Sequence, residues 1–144
     1  AEHLIDLGTF VAYARARPSK RQDESEGREF SSRLVAQFGK LSVCLAAVLG
    51  KTSVDEEVMA RVSRVALDTA RGRTLEILRH LAGAEEGGAT TDGASIAANI
   101  TVERGRVFLR FLRAVGAVES SKKLGQMRWK LSRRMATLWR KVVG

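Results

Sequence analysis

The sequence has few cysteine, histidine and aromatic residues, and each shortage excludes a type of protein. Its 144 residues include one Cys, two His and 6% aromatic residues. A single cysteine cannot form an internal disulfide, so Cys44 is expected to be a small buried hydrophobic residue in a protein of a reducing compartment. His3 and His80 lie far apart in the sequence, and neither has cysteines or carboxylates at metal-ligand spacing, so no metal site is expected.

Long hydrophobic runs and catalytic motifs are missing as well. The longest apolar stretch, Val43 to Leu49, is far shorter than the ~20 residues that span a bilayer, and no signal sequence opens the chain. Gly50-Lys51-Thr52 resembles the end of a P-loop, but Leu45 occupies the position of the first glycine. No set of nucleophile, base and orienting group is recognisable. We therefore expect a soluble cytoplasmic protein that does not contact membranes, holds no cofactor and is not itself an enzyme.

Positive charge is abundant, and it is concentrated in the C-terminal third. Residues 101–144 contain 12 Lys and Arg and 2 Glu, a net charge of +10, whereas the whole chain has a net charge of +9. Clustered cations are typical of nucleic-acid-binding surfaces, because neighbouring phosphates are neutralised by neighbouring cations. The alternative is a basic surface that only keeps the protein soluble.

Apolar residues at helical spacing predict two helices at the start of the chain. The first covers residues 2–17 and ends at Pro18, and the second covers residues 30–50. The segment between them, residues 19–29, is polar throughout and is predicted to be a mobile loop.

A third helix is predicted to begin at the capping box Ser53-Val54-Asp55-Glu56. The period of its apolar face is interrupted at Gly72, because glycine weakens a helix interior. We therefore place a module boundary there, although one long kinked helix would give the same pattern. Residues 1–71 are predicted to form a helical module and residues 72–144 a second domain.

The second domain is predicted to contain four helices and a two-stranded hairpin. Its helices are expected at residues 75–81, 94–99, 101–115 and 133–142, and its strands at 117–120 and 127–132. Thr101 is the expected N-cap of the 101–115 helix, and Asn99 the expected left-handed residue before it. The residues of this helix predicted to face the core are Val107, Phe108, Phe111, Leu112 and Val115. Residues 121–126 are the expected hairpin tip, with Lys122 and Lys123 on it.

The predicted order of elements resembles a winged-helix domain: a helix, a short helix, a third helix and a hairpin, with Gly116-Ala117-Val118-Glu119 leading into the first strand. The resemblance implies a mainly α fold, in which an N-terminal helical module packs on a C-terminal winged-helix domain made of a helix-turn-helix and a β-hairpin. It also implies that the third helix and the hairpin bind DNA. The candidate DNA-binding residues are Arg104, Arg106, Arg110, Arg113, Lys122, Lys123, Arg128 and Lys130. Each of them could instead be a solvated surface cation.

The N-terminal half resembles a second kind of structure. The helix ending in Ala14-Arg15-Ala16-Arg17-Pro18, the helix opened by Ser32-Arg33-Leu34 and the helix opened by Ser53-Val54-Asp55-Glu56-Glu57 are similar to the C-terminal lid of the AAA+ core in minichromosome-maintenance-type helicases. This resemblance implies that Arg33 reaches nucleotide phosphates of a neighbouring subunit. ATP would then be bound only in a parent helicase. The alternative for Arg33 is an ordinary surface arginine.

Together, the two resemblances favour the DNA-binding C-terminal region of a replication helicase or initiator of phage or mobile-element type. The start at Ala1, without Met, is expected of an excised or processed fragment. Homo-oligomers could form through the helical module or through a parent ATPase core. Two rival hypotheses stay open: a free-standing winged-helix transcriptional regulator that dimerises through its N-terminal helices, and a winged helix that docks a protein and no nucleic acid.

Overall fold

The structure of the protein is a computed structural model that describes residues 2–16, 18 and 24–144, with the backbone alone for residues 24–29. The described chain is mainly helical and includes a small antiparallel sheet. The helices are α1 (Glu2–Arg15), α2 (Glu24–Val48), α3 (Glu56–Thr69), α4 (Arg73–Ala82), α5 (Thr91–Ala97), α6 (Val102–Ala114) and α7 (Arg133–Val142). The strands are β1 (Ala89–Thr90), β2 (Val118–Lys123) and β3 (Gln126–Leu131).

Helix α1 lies at the centre of the packing, in contact with α2, α3, α4 and α7. The apolar spacing predicts that Leu4, Leu7, Val11 and Ala14 share one face with Phe10 beside it; the last four of these in the chain are buried, and Leu4 is half-buried. The Phe10 ring packs against Trp139 of α7 with 5.7 Å between the ring centroids. Thr74 of α4 donates a hydrogen bond to the carbonyl of Ala16, just beyond α1, at 2.9 Å. The first and last helices of the chain therefore belong to one hydrophobic core.

Helix α2 begins earlier in the sequence than its apolar pattern indicates. Residues 24–29 have helical backbone, so the prediction of a loop is wrong for them, and residues 19–23 lie outside the described residues. The prediction that Cys44 is buried is also wrong, because Cys44 is exposed. The buried stripe runs through Leu34, Phe38, Ser42 and Ala46 at intervals of four, and a residue two positions from this stripe points away from it.

The start of α3 corrects the predicted capping box. Asp55 is the N-cap, and its carboxylate accepts a hydrogen bond from the backbone N–H of Val58 at 3.0 Å, so Ser53 lies before the helix. Aspartate is a preferred N-cap residue, and the Lys51 ammonium also contacts both Asp55 and Glu57. The hydrogen bond from Lys51 and, after it, the bond from Val58 lower the pKa of Asp55 below its ordinary value.

The predicted break at Gly72 is present, because this residue is the N-cap of α4. Beyond α4, the strand order is β1-β3-β2, and both pairings are antiparallel. The sequence did not predict β1, because two residues are too few to show a period of two. It pairs Ala89 with Trp129 and Thr90 with Arg128.

The segment between β1 and β2 follows the prediction in outline. Helix α5 begins at Thr91, three residues before its predicted start, because the Thr90 hydroxyl accepts a hydrogen bond from the Gly93 N–H at 3.0 Å. Asn99 has the expected left-handed conformation, with φ of 55°. Thr101 is the N-cap of α6, as predicted, and accepts a hydrogen bond from the Arg104 N–H.

The buried face of α6 is rotated from the predicted one. Phe108 and Leu112 are buried as expected, but Val107 and Val115 are exposed, and Leu109 is buried instead. Gly105 accounts for the rotation: a Cβ atom at this position would lie 1.8 Å from the Ser95 hydroxyl oxygen, so α5 and α6 cross in close contact there. This crossing directs the Gly105 side of α6 inward.

We predict that Gly105→Ala lowers the free energy of unfolding. The added methyl overpacks the α5–α6 crossing, which typically costs about 1–3 kcal/mol, whereas an unhindered Gly-to-Ala change in a helix gains up to about 1 kcal/mol. Gly39→Ala in α2 is the matched control, because its Cβ would come no closer than 4.0 Å, to Leu4. Urea unfolding of both variants measures the difference. Equal stability of the two variants would contradict the close crossing.

We also predict that the Lys51 contacts contribute to the stability of the fold in a pH-dependent way. The pKa of Asp55 and that of Glu57 are lowered in the folded state, mainly by hydrogen bonds from Lys51. A lowered carboxyl pKa stabilises the fold above the ordinary carboxyl value of about 4, and this contribution is lost as the pH falls through the folded-state pKa. Lys51→Met should therefore lower the melting temperature at pH 7 and have a smaller effect near pH 2. An effect of equal size at both pH values would count against these ion pairs.

Candidate nucleic-acid interface

Three arginines of α6 lie on one exposed side of the helix. Arg106, Arg110 and Arg113 are spaced four and three residues apart, and each is exposed. Arg113 donates a hydrogen bond to the Ser120 hydroxyl of β2 at 2.8 Å, and its guanidinium lies 5.4 Å from the centre of the Trp129 ring of β3. These contacts of Arg113 place this side of α6 next to the sheet.

Arg104 does not share this side. It precedes Arg106 by two residues, which corresponds to about 200° of helix rotation. Its guanidinium lies over the Phe108 ring, 5.4 Å from the ring centre. The structure therefore separates Arg104 from the three arginines with which the sequence groups it.

The cations of the hairpin divide between the two faces of the sheet. Residues paired across two antiparallel strands share a face, and successive residues alternate between faces. Ser120 pairs with Trp129 and Lys122 pairs with Met127, so Lys122 is on the face that meets α6. Lys123, Arg128 and Lys130 have the opposite parity and lie on the other face. One side of the domain therefore carries Arg106, Arg110, Arg113 and Lys122, which we call the α6 cation row.

The hairpin turn is shorter than the sequence indicates. Strand β2 extends to Lys123 and β3 begins at Gln126, so the turn contains Leu124 and Gly125 alone. Lys122 and Lys123 are therefore strand residues, and the prediction that they lie on the tip is wrong. Strand alternation now determines their directions, which a loop would have left open.

None of the eight candidate cations has a carboxylate oxygen within 4 Å among the described residues. Glu103 and Glu119 are the two acidic residues in the segment from α6 to β3. Arg128 differs from the others because its Nε atom is buried and has no hydrogen-bond partner in the described structure. No carboxylate oxygen therefore lies within 4 Å of the α6 cation row in the described structure, although Glu103 lies one helical turn before Arg106.

A further basic face lies on α7, where Arg133, Arg134, Arg140 and Lys141 are exposed as the sequence predicts. Lys141 contacts Asp6 of α1 at 3.6 Å. Sequence reasoning did not include this face among the candidate site residues. Its signal in the sequence is the alternation of these cations with the inward-facing Met135 and Leu138.

Arg33 lies in α2 and is exposed, one residue before the buried Leu34. This placement on the helical half of the chain does not test its role at a nucleotide. Among the described residues, no group of three or more His, Cys, Asp or Glu side chains is arranged to hold a metal ion. None of the described helices has the length and apolar character needed to cross a membrane. Comparison with protein-family models, with curated proteins and with solved structures finds no match to this chain.

Proposed function

We propose that this chain is a winged-helix module that binds DNA through the α6 cation row. The order α4, β1, α5, α6, β2 and β3 supports this reading, since a winged helix interleaves three helices with a three-stranded sheet in this way. The short α5 and the longer α6 would be its helix-turn-helix, joined by the left-handed Asn99.

The observation that carries the proposal is that the α6 cation row forms no ion pair within the described structure. Among the described residues Arg106, Arg110 and Lys122 form no ion pair, whereas Arg113 contacts Ser120 and Trp129. Ion pairs within the described chain therefore do not occupy the row. Phosphates are the partners that such a row fits, because each neutralised phosphate releases condensed counterions. Binding of this kind depends on salt and little on base sequence.

We propose further that the module belongs to a replication helicase or initiator of phage or mobile-element type, and that it is not itself catalytic. Three helices of lid-like spacing precede the DNA-binding domain, and α1 packs into the same core as α7. In this setting Arg33 would act on ATP held by a parent ATPase core. A homo-oligomer formed by that core or by the helical module would be its working state.

Protein docking is the second candidate function, because α6 also exposes apolar side chains. Val107 is 45% exposed and Val115 is 38% exposed. Both lie on the helix that a DNA-binding winged helix inserts into a groove. A docking surface would need these valines and would bind independently of the α6 arginines.

We predict that duplex DNA binding by this chain weakens steeply with salt. The slope of log K against log salt should be about −3 to −4 if the four cations of the row each neutralise one phosphate. Arg106→Ala with Arg110→Ala should make the slope shallower by about 2. Fluorescence anisotropy with a labelled duplex at four or more salt concentrations measures both values.

Arg133→Ala with Arg134→Ala is the matched control, because it removes the same charge from α7 and leaves the row intact. The control should change the slope much less than the α6 pair does. Equal effects of the two pairs would show that overall charge, and not the α6 cation row, attracts DNA. Absence of binding at low salt would overturn the DNA proposal and favour docking.

The DNA preference of the protein distinguishes the replication role from the regulator hypothesis. A module of a replication helicase is expected to select no sequence from a pool of random duplexes and to bind forked DNA at least as tightly as duplex DNA. Enrichment of one duplex sequence would favour the transcriptional regulator. Dimers that bind two half-sites would strengthen that alternative.

A further inference from the structure

The turn between β2 and β3 places a hydrophobic residue where both the backbone and the solvent disfavour it. Leu124 has φ of 54° and Gly125 has φ of 76°, so both residues are left-handed. Two-residue turns of this kind strongly prefer Asn-Gly, Asp-Gly or Gly-Gly, because glycine lacks the Cβ atom that crowds the left-handed conformation and Asn and Asp can form local hydrogen bonds there. Leucine therefore does not favour the turn in which it lies.

Leu124 also gains nothing from burial. Its side chain is 99% exposed, which is the largest value among the large hydrophobic residues of the described structure. The next most exposed are Val48 at 81% and Ile96 at 78%. A single exposed leucine needs no explanation by itself. An exposed leucine held in a left-handed turn contributes to neither the core nor the turn, and this combination points to a contact outside the chain.

The surroundings of Leu124 indicate the chemistry of that contact. Lys122 and Lys123 immediately precede it, and strand alternation places them on opposite faces of the hairpin. Glu119 is the nearest acidic residue along the hairpin sequence, at the far end of β2, and the Lys123 ammonium lies near Gly87, which follows Glu85 and Glu86. The tip is therefore one apolar side chain with a lysine on each face of the ribbon below it.

A groove of duplex DNA matches this arrangement. Its two walls are rows of phosphates, and a ribbon that enters it directs one face to each wall. Leucine is among the side chains that proteins insert between base pairs from the minor groove, where they partly unstack one step and kink the duplex. A lysine on each face would hold the ribbon to both strands while the tip reaches the bases.

We propose that Leu124 is a wedge that enters between two base pairs of bound DNA, while Lys122 and Lys123 contact phosphates of the two strands. This inference rests on the proposed DNA binding and adds to it the deformation of the duplex. It assigns different tasks to two parts of the domain. The α6 cation row supplies affinity, and the hairpin tip unstacks a base step.

The test uses Leu124→Asn, which removes the apolar group and keeps a residue that tolerates the left-handed conformation. The probe is an A·T-rich duplex with 2-aminopurine at several positions, since the fluorescence of this base rises when it unstacks. We expect saturating wild-type protein to raise the fluorescence about twofold and Leu124→Asn to lose at least half of that rise. Its affinity should stay within about threefold of the wild-type value, with the same salt slope, because the cations are unchanged.

Two further variants complete the design. Val48→Asn is the control for removing an exposed apolar side chain elsewhere, and it should behave as the wild type does. Leu124→Met keeps an apolar tip and should retain the fluorescence rise. Leu124→Asn should melt no lower than the wild type, which would show that the hairpin is intact.

The outcomes separate the two proposals. If the wild type binds the duplex and the fluorescence does not rise, or if Leu124→Asn gives the full rise, the wedge is wrong and DNA binding stands. If the wild type does not bind the duplex, the proposed function fails and the wedge fails with it. Loss of binding to phosphatidylserine vesicles in Leu124→Asn, without any fluorescence rise on DNA in the wild type, would reassign the tip to a membrane surface.

Discussion

The indole of Trp129 is the contact on which the C-terminal part of the structure depends. Trp129 pairs with Ala89 of β1 on one side of β3 and with Ser120 of β2 on the other side. Its Nε1 donates a hydrogen bond to the Thr91 hydroxyl at the start of α5, at 2.9 Å, and its ring lies beneath Arg113 of α6. A buried aromatic side chain with a satisfied polar atom can join several elements at once. Trp129 therefore fixes the sheet, the start of α5 and one end of the α6 cation row in a single arrangement.

The residues that stabilise the fold are mostly different from the residues of the α6 cation row. The core is mainly apolar and runs from Leu7 in α1 to Leu138 in α7. Within the α6 cation row, the described contacts with this part of the fold are those of Arg113 with Ser120 and Trp129. The ion pairs that the structure contains are mostly in α3 and α4 and the segment before them, away from the row. Repulsion among the unpaired cations is a modest cost at ordinary ionic strength, because the charges are exposed and screened. The row can thus stay available for a phosphate partner.

Much of the fold could be predicted from the sequence, and the errors have physical causes. Helices α1 and α7 and the cap of α6 agree with prediction, because amphipathic period and capping chemistry are local properties. One error arises where two local signals compete: Asp55, which is also a preferred cap residue, caps α3 in place of Ser53. Another arises where a tertiary neighbour overrides the local pattern. The crossing at Gly105 buries Leu109 in place of Val107.

The candidate site divides in the same way between sequence and tertiary structure. Residue types and spacing alone determined that the C-terminal third is basic, that Arg106, Arg110 and Arg113 share a helix face, and that a hairpin follows them. Which hairpin cations join that face was decided by strand register, because a shift of one residue would move every side chain to the other face. The two-residue spacing of Arg104 and Arg106 already separates Arg104 from the row, because helical periodicity is a local property. That Leu124 lies fully exposed in a two-residue turn was decided by which residues of β2 and β3 pair, and no apolar pattern in the sequence specifies that pairing.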